Sequence, residues 1–239
     1  MTTALLIAGA IVLVGAVVQG VVGYGLNLIA APLLTLVDPA LIPVPMLLVT
    51  LAQSVMSLLR ERSSAHWSGV GWAMVGRLPG NVLGVLAVSA LPVAGFNVAI
   101  ALSVLACVAL SLVSWRPRPT PPSLVVAGTA SGAFGTASGI GGPPIALLYQ
   151  HSAGPTIRAT LAAFFVLASV SSLATLGIAG EIGAKHLRAA VVLLPFMLAG
   201  FALSTVARRI VDNRGAIRAG ILGVAAASAL VLLVRGLFG

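Results

Sequence analysis

Charged side chains are scarce in this sequence. Asp, Glu, Lys and Arg make up only 7% of the 239 residues, whereas soluble domains carry about 25%. Hydrophobic residues make up 59%, and the mean hydropathy is +1.15. This balance excludes an ordinary soluble domain and predicts a polytopic membrane protein.

Carboxylates and histidines are rarer still, and none lies inside an apolar segment. All of them stand at segment ends: Asp38, Glu61, Glu181, Asp212, His66, His151 and His186. A proton-driven carrier usually buries a carboxylate or histidine relay, and an enzyme or metal site needs a cluster of such groups. We therefore expect no proton relay, no catalytic residues, no metal and no cofactor.

The sequence also lacks a cysteine pair and a nucleic-acid-binding pattern. Its one cysteine, Cys107, lies in an apolar run, where we expect it to pack as a small hydrophobic side chain. The formal net charge is +9. The basic residues are scattered at segment ends without interleaved aromatics, so we expect them to meet anionic lipid headgroups and not nucleic acid. Residues 1–3 carry no basic cluster, so we expect no signal peptide.

Long apolar runs dominate what remains, which predicts an all-α polytopic fold. Eight segments cover residues 4–37, 40–59, 67–91, 93–114, 122–150, 156–179, 187–207 and 216–237. The Arg- and Pro-rich linker at 115–121 cannot continue a helix, and it separates a first membrane repeat, 1–114, from a second, 122–239. Glycines and prolines recur at an offset of 116: Gly23 and Gly139, Gly25 and Gly141, Pro39 and Pro155, Pro79 and Pro195, Gly84 and Gly200. We interpret the halves as a duplicated unit within one membrane domain.

Two of the segments, 4–37 and 122–150, are unusually long. As a straight helix the first would reach about 50 Å, against an apolar membrane core of about 30 Å. If every segment crosses once, the Lys and Arg residues other than Arg77 divide seven to five between the two sides. If both long segments are re-entrant hairpins, the division is nine to three, which is a positive-inside pattern. The sequence therefore favours two inverted repeats, each a broken hairpin plus three transmembrane helices, in the inner or plasma membrane with both termini non-cytoplasmic.

Each long segment is interrupted by glycines. Breaks inside apolar segments are tolerated where the freed backbone lines a cavity or is buried in protein, and a matched pair points to a transporter's substrate site. A helix that begins after such a break presents unpaired N–H groups to an anion. The residues that we predict to bind substrate here are Gly23, Tyr24, Gly25, Asn27, Ser138, Gly139, Gly141, Gly142, Pro143 and Pro144. The alternative is that the glycines only allow close helix packing.

Arg77 is a second candidate, because it lies near the centre of segment 67–91. A charge at membrane depth is costly and points to function. No carboxylate lies in any segment to pair with it, and a guanidinium group binds oxoanions through two parallel hydrogen bonds. The alternative is that Arg77 extends to the interface. Asn81 and Gln53 either line the same cavity or form polar contacts between helices.

These motifs resemble the TauE/SafE family of sulfite and organosulfonate exporters. The likeness rests on Gly20-x-x-Gly23-Tyr24-Gly25 with Pro32, on Gly128-x-x-x-Gly132 followed by the run 138–144, and on Pro-x-x-x-x-Gly at 79–84 and 195–200. The resemblance covers essentially the whole chain and implies a plasma-membrane permease for sulfite, sulfoacetate or other small anions. The chain departs from the family in the residues after Gly25, where Leu26-Asn27 replaces a richer glycine run.

The function that the sequence favours is export of a small anion such as sulfite or an organosulfonate, held between broken-helix ends. Export suits a cell that is negative inside, since the potential contributes about 2.3 kcal/mol per charge per 100 mV. A permease for a small carboxylate and a non-transport membrane assembly protein remain as alternatives. The partners that we expect are the anionic substrate and the lipid bilayer; a homo-oligomer stays open.

Overall fold

The computed structural model describes residues 2–112, 118–210 and 214–238, and this part of the chain is helical without strands. The prediction of an all-α polytopic membrane protein is confirmed. The α-helices of the described ranges are α1 (Thr2–Val22), α2 (Leu26–Val37), α3 (Val44–Glu61), α4 (Trp67–Ala90), α5 (Val93–Leu112), α6 (Pro121–Ser138), α7 (Gly142–Tyr149), α8 (Gly154–Ile178), α9 (Ala184–Ile210) and α10 (Arg214–Phe238). Short 3-10 turns at Pro39–Leu41 and Arg62–Ser64 precede α3 and α4.

Three of the sequence predictions fall on parts of the chain that lie outside this description. Residues 113–117 include the first three residues of the predicted linker, 115–117; the side chain of Cys107 is likewise not described, and neither are Met1 and Gly239. The linker, the packing of the cysteine and the side on which the termini lie therefore stay predictions.

Five helical stretches of the described residues are long and apolar enough to cross a membrane. They are Ala4–Val22, Pro39–Ser64, Trp67–Ala90, Gly154–Ile178 and Ala184–Arg208. Large apolar side chains such as Leu78, Val191 and Leu203 are more than half exposed on the outside of the bundle. In water such a surface would aggregate, whereas in a bilayer it meets lipid, so the chain is a multi-pass membrane protein.

Both long segments break into two helices at their central glycines, as the sequence predicts. Gly23 and Gly25 adopt φ angles of 99° and 123°, and Gly139 adopts 77°. Residues with a Cβ rarely take these angles, so glycine lets the chain leave one helix and start the next within a few residues. The arms are unequal: α1 has 21 residues and α2 has 12, or about 31 Å and about 18 Å of helix.

Each broken segment folds back towards the end of the bundle from which it came. Ala4 near the start of α1 and Asp38 just after α2 line one open cavity together with Arg188 of α9. In the second broken segment, the hydroxyl of Tyr149 at the end of α7 lies 2.8 Å from Nδ1 of His66, just before α4. The chain thus forms two helical hairpins.

The two hairpins start from opposite ends of the bundle. Helix α9 runs from Arg188, beside the first hairpin's outer ends, to Arg208 at the other end. Arg208 forms an ion pair with Glu61, which lies close in sequence to His66 at the second hairpin's outer end. Inverted halves would produce this arrangement, although the repeat relation itself stays a prediction.

The broken helices α1 and α6 each pack most closely on a helix from the other half of the chain. On α4, Gly76 lies against Val125 of α6 and Gly84 lies against Ala133, so α4 and α6 run side by side in the same direction. In the same way Gly200 of α9 lies against Leu13 of α1. Helix α4 has the position in the first half that α9 has in the second. Small residues let these backbones touch, as in other membrane helix pairs.

Gly76→Ala tests the packing of α4 on α6. A Cβ at Gly76 would overlap the backbone carbonyl of Val125, and overpacking of this kind costs about 1–3 kcal/mol. We expect a lower unfolding temperature for the variant in detergent. Gly71→Ala on the same helix is the control, since a Cβ there meets nothing within 4 Å. Equal unfolding temperatures for the two variants would contradict this packing.

Candidate functional site

The two backbone breaks meet through the side chain of Asn27, in the first turn of α2. Its amide nitrogen donates to the backbone carbonyl of Gly139 at 2.7 Å and to Oγ1 of Thr50 on α3 at 2.9 Å. The side chain is 6% exposed. Asn27 therefore ties the start of α2 to the second break and to α3, so the two breaks lie together in this structure.

The N-cap residues of both helices that follow a break are glycines and carry no capping side chain. Gly25 stands before α2 and Gly141 before α7, and neither offers a side-chain acceptor. The Leu26 backbone N–H donates to Oε1 of Gln19 at 3.3 Å. In the second break Oγ of Ser138 bonds the Phe134 carbonyl at 2.7 Å. The N-terminal ends of α2 and α7, which carry partial positive charge, thus lie beside each other.

A small cavity of about 20 Å³ separates these helix ends. Its walls come from both breaks and from α3 and α8: Gln19, Gly25, Asn27, Leu28, Thr50, Gly139, Ile140, Gly142, Pro143 and Phe165. Tyr24 lies against Gly142 on the same side as the Phe165 ring. A space of this size holds about one water molecule. The site is therefore closed in this structure, and a larger ligand requires the breaks to separate.

Arg77 of α4 is 2% exposed and lies inside the bundle. Its Nη1 donates to the carbonyl and hydroxyl oxygens of Ser131 on α6, both at 2.9 Å, and its Nη2 donates to Oγ of Ser172 on α8 at 2.8 Å. The ring of Phe164 lies below the guanidinium, 5.5 Å from Cζ to the ring centroid. Within the described residues no carboxylate pairs with it, and Nε has no hydrogen-bond partner.

The guanidinium lies directly behind the second break. Oγ of Ser131, which accepts from Arg77, donates to the Gly141 carbonyl at 2.6 Å. A Cβ at Gly141 would lie 3.1 Å from Nη1 of Arg77, and one at Gly135 would lie 2.9 Å from Nη2. Arg77 is not among the residues that line the 20 Å³ cavity. Arg77 therefore supports the second break through Ser131, and the backbone of the break lies between its charge and the cavity.

The other predicted polar residues bond neighbouring helices. Oε1 and Nε2 of Gln53 differ in their surroundings: Nε2 donates to the Ala16 carbonyl at 2.8 Å, and Oε1 has no partner. Asn81 accepts from Thr136 at 3.0 Å and donates to Ser171 at 3.1 Å. Neither amide lines the cavity between the breaks. These contacts match the alternative that we gave for both residues.

Some residues of the site were not predicted. Gln19, Thr50 and Phe165 line the cavity, although only the polarity of Gln19 and Thr50 within apolar segments distinguished them in the sequence. Within the described ranges no cluster of three or more His, Cys, Asp or Glu side chains could hold a metal ion.

Comparison with known proteins identifies the family. The family model of the sulfite exporter TauE/SafE matches residues 7–232 of the chain. The chain therefore belongs to the TauE/SafE family, a family of membrane exporters of sulfite and related anions, and the resemblance seen in the sequence is confirmed. Neither a curated protein nor a solved structure gave a match.

Asn27→Ala tests the contact between the breaks. The change leaves the Gly139 carbonyl and the Thr50 hydroxyl without their donor, and unsatisfied buried groups cost about 1–3 kcal/mol each. We expect a clear drop in the unfolding temperature of the purified protein. Asn97→Ala on α5 is the control, because Oδ1 of Asn97 already lacks a partner. Equal drops in both variants would show that Asn27 is no more than an ordinary polar contact.

Proposed function

We propose that this TauE/SafE family member exports a small oxoanion, sulfite or a short organosulfonate, through a site between the N-terminal ends of α2 and α7. The observation that carries the proposal is the meeting of both breaks at the Asn27 side chain beside a cavity. The donors on its walls are backbone N–H groups, the Thr50 hydroxyl and the amides of Gln19 and Asn27. Such donors suit oxygen atoms that carry negative charge.

The electrostatic setting supports an anion. Two helix N-terminal ends face the cavity, and the uncompensated charge of Arg77 lies just behind Gly141. In a low-dielectric interior these charges act over several ångströms with little screening. The carboxylates of the described residues are not among those that line the cavity. We assign Arg77 the role of holding positive potential at the site and positioning the second break, while the cavity walls make the direct contacts.

Transport requires this closed site to open towards each side in turn. The Asn27 bond to Gly139 and the ring of Phe165 against Gly142 close the cavity. Separation of the hairpins would break that bond and free the Asn27 amide for the anion. The glycines at 23, 25 and 139 supply the backbone freedom for such a movement. Export of the anion runs down the electrical gradient of a cell that is negative inside.

The experiment is flux of sulfite and of a short sulfonate into liposomes that contain the purified protein. Thr50→Val keeps the shape of the side chain but removes a hydroxyl from the cavity wall, so we expect at least about a tenfold loss of flux, equivalent to about 1.4 kcal/mol. Arg77→Gln should also lower flux, because the potential at the break falls. Wild-type flux should respond to an imposed membrane potential.

Thr35→Val is the matched control for Thr50→Val. Thr35 is also buried, but its hydroxyl bonds the Ala31 carbonyl of its own helix, and it does not line the cavity. Equal flux in wild type and Thr50→Val would remove this cavity from the pathway. Flux of a small carboxylate alone would favour the carboxylate permease, and absence of flux for every anion would favour an assembly role.

A further inference from the structure

A partly buried ion-pair cluster lies beside the first hairpin, at the end of the bundle opposite Asp38. Glu61 at the end of α3 accepts from Nη2 of Arg158 on α8 and from Nη1 of Arg208 on α9, both at 2.8 Å. Nε of Arg158 donates to the second carboxylate oxygen at 2.9 Å. The side chains are only 11% to 17% exposed. We call these three residues the Glu61 cluster.

The cluster is joined to the first break by direct contacts. Nε of Arg208 donates to the Gly20 carbonyl in the last turns of α1 at 2.7 Å. A Cβ at Gly23 would lie 3.2 Å from the Cα atom of Arg158, so the break packs on the backbone of α8. A movement of the two arginines would therefore shift the backbone at Gly20 and Gly23, where the first hairpin reverses direction.

A second cavity, of about 10 Å³, lies between the cluster and the proposed substrate site. Its walls are Gln19, Gly20, Gly23, Ser54, Ser57, Glu61, Arg158, Ala162, Phe165 and Arg208. Gln19 and Phe165 line this cavity and also the one between the breaks. The two cavities thus lie in series, with only these two side chains shared between them.

The cluster has more cationic groups than its single carboxylate can satisfy. Both guanidinium groups bond the same oxygen of Glu61, and each has further N–H donors. Oγ of Ser54, which is 1% exposed and lines the same cavity, has no hydrogen-bond partner. An oxoanion would offer acceptor oxygens to both arginines and to this hydroxyl. The Glu61 carboxylate accepts from the arginines but leaves the Ser54 hydroxyl without a partner.

The Glu61 cluster is not repeated at the corresponding positions of the other half of the chain. At the offset of 116, Glu61 corresponds to Gly177, Arg158 to Ile42 and Arg208 to Pro92. The equivalent place in the other half therefore lacks all three charges. A cluster that is present at one end of the transport pathway and absent from the other makes the two ends different. The distribution of Lys and Arg predicts that the end with the cluster is the cytoplasmic one.

We propose that the Glu61 cluster is a cytoplasmic anion-binding gate, in which the transported oxoanion displaces the Glu61 carboxylate from Arg158 and Arg208. This inference rests on the proposed function. Displacement lets the arginines move with the anion, which loosens the Arg208 bond to Gly20 and opens the first break. When no anion is present, the Glu61 carboxylate occupies the two arginines and keeps this end of the pathway closed.

Glu61→Gln tests this gate in sulfite flux measured over a range of sulfite concentrations in proteoliposomes. Removal of the competing charge should lower the KM for sulfite about threefold or more, whereas Arg208→Gln should raise KM by a similar factor. Arg62→Gln is the matched control, because Arg62 is an exposed cation next to Glu61 in sequence but outside the cluster, and its KM should not change. Lower maximal flux at unchanged KM in both cluster variants would show a structural ion pair and overturn the gate.

Thermal stabilisation of the purified protein by sulfite gives a second readout that does not depend on transport. Glu61→Gln should reach half of its stabilisation at a lower sulfite concentration than wild type. Identical concentrations, or no stabilisation of either protein, would overturn the gate. If the wild type carries no anion in liposomes yet shows this shift in affinity, the proposed function fails while the cluster remains an anion site.

Discussion

The bond between the Asn27 amide and the Gly139 carbonyl is the contact on which the rest of this structure depends. It joins two hairpins that start from opposite ends of the bundle. Because the same amide also bonds Thr50, the first hairpin, the second break and α3 are held by one side chain. Two helix N-terminal ends are thereby kept next to each other, and a closed cavity results between them.

Several packing features follow from the need to keep this junction intact in an apolar surrounding. Backbone groups freed at the breaks must find partners, because lipid supplies none, and Gln19, Ser131 and Ser138 provide them. The Arg77 guanidinium requires small neighbours, so glycine stands at 135 and 141. Its buried charge costs stability when no anion is near. Under the proposed function, a bound anion would relieve that cost and would thereby link occupancy of the site to the position of the second break.

Much of the architecture could be predicted because a small number of strong constraints govern the structure of membrane proteins. Apolar segments, glycine breaks and the distribution of Lys and Arg led to the helices and to the hairpins at 23–25 and 139–141. The roles of individual polar residues could not be read in this way. Whether Gln53 or Asn81 turns to a cavity or to a neighbouring helix depends on rotation about the helix axis, which no local pattern sets. The Glu61 cluster was missed for a related reason: its members lie on three different helices, and each looks like an ordinary segment end.

Binding of selenite, a heavier analogue of sulfite, located by anomalous diffraction, tests the central claim most directly. The account predicts selenium between the N-terminal ends of α2 and α7, within hydrogen-bond reach of Thr50 and Asn27, with the Asn27 bond to Gly139 broken. Absence of selenium between these helix ends, with the Asn27 bond to Gly139 intact, would contradict it.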